Sequence, residues 1–293
     1  MWIAVTERFR RLNEALVATD RQVGDARTKL AGLIRCLNAA YYNLASDVDH
    51  GRLVGSWAKQ TQIVHTEDVD LLFQLPFETY LQFAAYVGNG QSALLQQVKG
   101  VIENRYPNTT MRGDGQVVVV AFNSLTVEVI PGFSAAGGQF QICDTHNGGS
   151  FKTTDPVAQE VALNTSDLLK NGNARQLVRM IKAWKYVCNV PIKSFQIEIL
   201  VPEYLNQVAW GEYSFFYYDW LVRDFFAFLL GRANGLIWVP GTHELNYLGS
   251  AWEPAARRAY GAASAACVHE RDDRVAEAGD EWQKIFGESI QRA

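Results

Sequence analysis

Apolar positions recur at helical spacing almost from the first residue. From about Val5 to Ser46 they mark two helices, the second long, with Leu30, Leu33, Ile34, Leu37 and Tyr41 on one stripe. "GRLVGS" then predicts a short strand ending in a turn, and "VDLLFQLP" a second strand closed by Pro76. A helix follows from roughly Glu78 to Asn104, interrupted near "GNG". Two β-branched runs, "QVVVVAF" and "LTVEVIP", flank Asn123 and Ser124 and predict a hairpin. "QFQICD" makes a further strand after the "AAGG" turn.

Past Asp155 the pattern changes to helical periodicity throughout. "DPVAQEVALNTSDLLK", "NARQLVRMIKAWKYVC", "SFQIEILVPEYL" and "SFFYYDWLVRDFFAFLLGRA" all suit helices, and a last helical region runs from Glu253 to Ile290. The expectation is an α+β protein with a mixed half, residues 1–160, and an all-helical half, residues 161–293. No repeat or low-complexity linker divides them, so two lobes sharing one cleft is the natural arrangement, and the cleft is where a ligand binds.

Composition narrows the function classes. The 293 residues are 48% apolar and 20% charged, the profile of a globular protein with a sizeable core. Against 31 acids stand 27 Lys and Arg, a net charge of -4, which argues against a long nucleic-acid track. Cys36, Cys143, Cys188 and Cys267 are scattered; Cys143 and His146 lie three apart, but no second pair completes a zinc site. "MWIAVTERFRRLNEAL" carries charge throughout, unlike a secretory signal. The most apolar stretch, "FFAFLLGRANGLIWV", is broken by Arg232, Asn234 and two glycines, so a cytoplasmic protein is expected.

Candidate chemistry begins at "GSWAKQTQIVHTEDVDLLF". On a strand Asp68 and Asp70 point to one face and Val69 to the other. Two carboxylates so close repel each other unless a cation intervenes, and hard oxygen donors at this spacing suit magnesium. A solvated strand end explains the pair equally well. Glu128 changes the balance: it lies within "LTVEVIPGF" between Val127 and Val129, on a face shared with Thr126 and Ile130. Alone it would be an edge-strand guard; beside the Asp pair it suits a third ligand. Three carboxylates on neighbouring strands can hold two magnesium ions roughly 4 Å apart, the arrangement of in-line nucleotidyl displacement.

Two further features fit such a centre. Gly55 allows close backbone approach and Ser56 offers a small hydroxyl, so the pair can hold a triphosphate. In "NARQLVRMIKAWKYVC", Arg175, Arg179, Lys182 and Lys185 follow at spacings of four, three and three on one helix face. That face either meets water or meets the cleft, where Lys182, with Lys185, would neutralise nucleotide phosphates. Ser194 reads first as a helix N-cap, a role compatible with a phosphate contact.

The series Gly55-Ser56, Asp68-Val69-Asp70-Leu71 and Glu128 before "VIP" resembles the signature of the polymerase-β-like nucleotidyltransferases. More narrowly, "GSWAKQT", "VEVIPGF", "RMIKAWK", "KSFQIEIL" and "EWQKIFGESI" are similar to the bacterial CD-NTases of anti-phage (CBASS) operons, over nearly the whole chain. The resemblance implies a catalytic lobe with a mixed, mainly antiparallel sheet, an α-helical lobe, and an active site between them. By it, Asp68, Asp70 and Glu128 bind two magnesium ions, with manganese as a substitute. Gly55 and Ser56 hold the donor triphosphate, Lys182, Lys185 and Ser194 make further phosphate contacts, and Thr61 lines the nucleotide pocket. It implies ATP or GTP as substrates, closed into a cyclic di- or trinucleotide with release of pyrophosphate. Regulatory or effector proteins from the same operon are the implied partners, with neither a membrane nor nucleic acid required. Two departures from the pattern stand out: Glu128 where many relatives carry Asp, and no Asp-Pro in "WVPGTHELNYLG", which leaves Asn246 as the match for a pocket residue.

Two other readings compete. A template-independent nucleotidyltransferase could modify RNA, a small molecule or a protein, although RNA tailing calls for a basic surface that the composition lacks. A nucleotide-binding protein with a vestigial metal site is the third, and all three acids being present counts against it.

Overall fold

The computed structural model describes residues 2–293. Helices α1 (Val5–Leu16) and α2 (Asp20–Tyr42) come first, α2 opening on a capping box in which Thr19 and Gln22 satisfy each other's amides. Strand β1 (Gly51–Val54) runs into a one-turn helix α3 (Gly55–Ala58), then β2 (Asp68–Gln74), α4 (Phe77–Ala84) and α5 (Gly90–Arg105). Strands β3 (Thr110–Asp114), β4 (Val117–Ala121), β5 (Thr126–Ser134), β6 (Phe140–Asp144) and β7 (Ser150–Thr154) complete the sheet. Helices α6 (Pro156–Leu169), α7 (Asn173–Val187), α8 (Ser194–Leu205) and α9 (Tyr218–Leu230) follow. A small β8 (Leu236–Trp238) and β9 (Leu245–Tyr247) pair precedes α10 (Glu253–Arg271) and α11 (Val275–Phe286).

The main sheet runs β1-β2-β5-β4-β3, with β6 and β7 continuing from the far end of β5. Only β2 and β5 run parallel among its paired neighbours; the rest are antiparallel, as expected of a mixed, mainly antiparallel sheet. Val69, Leu71, Phe73, Val127 and Val129 point to one face and pack beneath α2 and α5. The opposite face carries only a small cluster of Val54, Leu72 and Ile142, which leaves the strand ends beyond it free for other chemistry.

A second core fills the helical half around Trp184, Trp252 and Trp282, and the two cores do not follow one cut of the chain. Val5, Phe9, Leu12 and Leu16 of α1 belong to this second core. The Phe9 ring meets Trp282 edge-on at 5.0 Å, and Arg8 forms a buried ion pair with Glu270 of α10. The first helix is thus part of the helical lobe although the sheet follows it in sequence.

Three sequence expectations are corrected. The end of "GRLVGS" is not a plain turn: residue 55 sits at φ +64° and starts α3. Strands β3 and β7 were not expected, because "TMRGD" and "SFKTT" lack an apolar run; pairing with β4 and β6 forms them. The helical half is not all helix, since β8 and β9 are three residues each, too short to show a periodicity. Among the described residues no helix is long and apolar enough to cross a membrane.

Candidate active site

The acids stand where the uncovered sheet face meets the helical lobe. β2 and β5 pair in parallel register with Asp70 opposite Glu128 and Asp68 opposite Thr126. Strand alternation then puts all three carboxylates on the face that lacks a large core. Asp68 is exposed, whereas Asp70 and Glu128 are partly buried. Burial, reinforced by Asp68 and Glu128, pushes the Asp70 carboxyl up to about 7. Burial and the Asp68 charge raise Glu128 as well. Carboxylates that raise one another are relieved by a nearby cation, and three hard oxygen donors fit a divalent ion such as magnesium. Among the described residues no three His, Cys, Asp or Glu side chains are arranged around one point; the register of β2 and β5 fixes only the backbone positions of the acids.

Gly55 is explained by the same centre. β1 register sets Val54 opposite Asp70, so the chain turns directly past that carboxylate. A Cβ at residue 55 would lie 1.9 Å from Asp70 Oδ2, and φ +64° disfavours any side chain there. Trp57 pins α3 to the sheet, its indole buried in the first core and its Nε1 donating to the Asp68 carbonyl at 2.9 Å. The Gly-Ser motif and the acid motif are therefore one rigid unit.

A cavity of about 470 Å³ opens between this unit and the helical lobe. Gly55, Ser56, Asp68 and Asp70 line one wall; Lys182, Lys185 and Ser194 line the other. Lys185 Nζ donates to Ser194 Oγ at 2.9 Å, and burial lowers the Lys185 pKa. Ser194 is the first residue of α8 rather than its N-cap, which is Lys193.

Other sequence candidates occupy different places. Lys182 lies at the cavity wall, but its ammonium is 2.5 Å from Glu198 Oε1 and also donates to Thr61. Lys59 pairs with the other oxygen of Glu198. Burial alone would raise the Glu198 carboxyl; the two lysines reverse this and hold it at about 2. Thr61, expected to line the pocket, has no exposed surface and donates to Glu198 at 2.5 Å, behind the wall. Asn246 accepts from Gln196 Nε2 at 2.8 Å and does not line the cavity. Arg175 and Arg179 do not reach the cavity either.

Sequence reasoning missed several wall residues. Lys59 and Glu198 gave no signal apart from the neutral pattern of their segments. His65 and Tyr186 stack across the cavity rim, ring centroids 4.4 Å apart and planes within 2°, one from each side of the cleft. Only tertiary contact brings those rings together, and their separation of 121 positions hides it from any local pattern.

Comparison with known proteins gives the chain a family and a fold. Residues 3–166 match the model of the Second Messenger Oligonucleotide or Dinucleotide Synthetase domain. The chain belongs to that family. It is accordingly a nucleotidyltransferase of the class that synthesises cyclic oligonucleotides. No curated relative matches the sequence. Among solved structures, CdnC of Escherichia coli MS115-1, in complex with a HORMA protein, aligns with a TM-score of 0.73 at 19% identity, covering 98% of each chain. The Vibrio cholerae DncV cyclic AMP-GMP synthase, in complex with nonhydrolyzable GTP, aligns at 0.70 and 14% identity over 95% of this chain and 93% of its own. The Bradyrhizobium diazoefficiens CD-NTase CdnG, in complex with GTP, gives 0.70 at 10% identity over 97% and 96%. At these identities the likeness establishes the fold, and it extends through the helical lobe beyond the family match.

Proposed function

We propose that the cavity is the catalytic centre and that it joins ATP, GTP or both into a cyclic di- or trinucleotide. The observation carrying this is the register that sets Asp70 opposite Glu128, with Asp68 on the same face and the Asp70 carboxyl raised to about 7. Asp68, Asp70 and Glu128 would hold divalent ions, which supply charge neutralisation at the α-phosphate and at the attacking ribose hydroxyl. Gly55 and Ser56 hold the donor triphosphate against α3. Lys185, braced by Ser194, is the cation available to the departing pyrophosphate. Lys182 acts through the wall, fixing Thr61 and Glu198, rather than on the phosphates. The His65–Tyr186 stack offers an aromatic rim for a base.

The solved CdnC with its HORMA partner supports a regulatory protein as partner, and the family supports a role in anti-phage signalling in the cytoplasm. The test incubates purified protein with magnesium and labelled ATP, GTP or both, followed by mass spectrometry of the product. A phosphatase-resistant cyclic product is expected without any added acceptor. Label appearing only on added RNA or protein would overturn the reading, as would the absence of pyrophosphate release with every nucleotide.

A further inference from the structure

Arg175 and Arg179 of the basic stripe on α7 do not reach the nucleotide cavity; with Lys182 they grip the backbone behind it. Arg175 Nε donates to the carbonyl of residue 59 at 3.0 Å, Arg179 Nη1 to that of residue 60 at 3.0 Å, and Lys182 Nζ to that of residue 61 at 3.2 Å. Successive cations along the helix thus take successive carbonyls along the loop. The amides of the same three residues point the opposite way. Residue 59 donates to the Gly55 carbonyl at 3.3 Å, residue 60 to that of Trp57 at 3.3 Å, and residue 61 to that of Ser56 at 2.9 Å. Gln60 is held in the left-handed region at φ +56°, a conformation that costs energy in a residue with a side chain. The carbonyls of residues 59–61 lie just past the one-turn α3, and the charged donors of α7 are strong partners for them.

We propose that Arg179, with Arg175, is a positioning residue: through residues 59–61 it sets the Gly55–Ser56 backbone at the geometry the donor triphosphate needs. This rests on the reading of Gly55 and Ser56 as the triphosphate cradle. Arg179 is the cleaner probe of the two. Its other partner is the neutral Asn13 of α1, whereas Arg175 also satisfies the Asp167 carboxylate, whose loss would cost stability on its own.

The experiment measures R179Q and R179K in the full chain. Binding of a nonhydrolysable ATP analogue is followed by calorimetry, KM and kcat by product formation, and amide exchange by mass spectrometry. In R179Q the dissociation constant and KM rise about tenfold, the size of one lost charged hydrogen bond, while kcat stays within about twofold. Amides of residues 59–61 exchange faster, and R179K recovers part of the loss. Arg8→Lys, which perturbs the buried pair with Glu270 far from the cavity, serves as the control for a purely structural effect. An R179Q protein that melts lower yet binds the analogue like the wild type overturns the positioning role. If R179Q does not fold, R179A measured at lower temperature decides, with faster exchange of residues 59–61 but wild-type affinity for the analogue overturning it. A wild-type protein that binds no analogue would instead sink the triphosphate reading on which the inference stands.

Discussion

Two charged arrays flank the Gly55–Ser56 turn, one on the sheet and one on α7 behind it, and they are partnered to different degrees. On the sheet, Asp68, Asp70 and Glu128 share a face, and burial and mutual repulsion raise Asp70 and Glu128. On α7, Arg175, Arg179 and Lys182 are each bonded to backbone carbonyls, and Lys182 also to the Glu198 carboxylate. Charge left uncompensated marks the place prepared for a ligand; charge fully bonded marks architecture. Sign and spacing alone did not separate these cases, since both arrays read as candidate ligand contacts along the sequence.

The largest expected effect tests the acidic array. Asp68→Ala with Asp70→Ala should lower product formation by about a thousandfold or more while the thermal melt holds or rises, because the change removes repelling charges. Retained synthesis would show that these acids do not hold the ions. Next comes the basic array: Glu198→Ala leaves Lys59 and Lys182 buried without their counter-ion, a loss of about 3–5 kcal/mol in chemical denaturation. A stability change below about 1 kcal/mol would mean that the network is dispensable.

Gly55→Ala tests where the arrays touch. Its Cβ would meet Asp70 Oδ2 at a backbone angle unsuited to alanine, so a loss of about 1–3 kcal/mol and weaker nucleotide binding are expected together. An unperturbed protein would argue that α3 can shift freely. pH separates the arrays by sign. The Asp70 carboxyl is raised from 3.8 to about 7 in the fold, so its stabilising contribution is complete below pH 3.8 and lost as pH climbs through 7. Glu198 is depressed from 4.5 to about 2, so its contribution is complete above pH 4.5 and lost as pH falls through 2. In metal-free buffer, Asp70→Asn should flatten the neutral side of the stability profile and Glu198→Gln the acid side; the reverse assignment would refute the comparison. The smallest effect is Lys185→Ala, expected to raise KM about tenfold with an unchanged melt, as for loss of one phosphate contact.

Much of the sheet was legible because its strands are runs rich in β-branched and apolar residues bounded by turn signals. β2, β4, β5 and β6 all follow from such runs, and the hairpin follows from Asn123 and Ser124. β3 and β7 were not legible, being edge strands without an apolar run, and β8 and β9 were not because three residues are too few to show a period. The shared face of Asp68 and Asp70 was legible from strand alternation; that Glu128 joins it required the β2–β5 register. The contacts of Lys182 and Thr61 with Glu198 were not legible, because Glu198 reaches them from α8 and nothing local to α7 or to residues 59–61 signals a carboxylate there.

By itself, then, the sequence determined the alternation that places Asp68 and Asp70 on one face, the glycine at position 55, and a helix with cations along one side. Each of these is a local property, fixed by residue type and by the period of the element that carries it. Tertiary structure decided what the charges meet. It brought β5 beside β2 so that Asp70 opposes Glu128, it gave Glu198 to two lysines, and it turned three cations of α7 onto three carbonyls of one loop. Whether a charge binds ligand or holds backbone depends on its nearest partner in space, and that partner is set by packing between segments far apart in the chain.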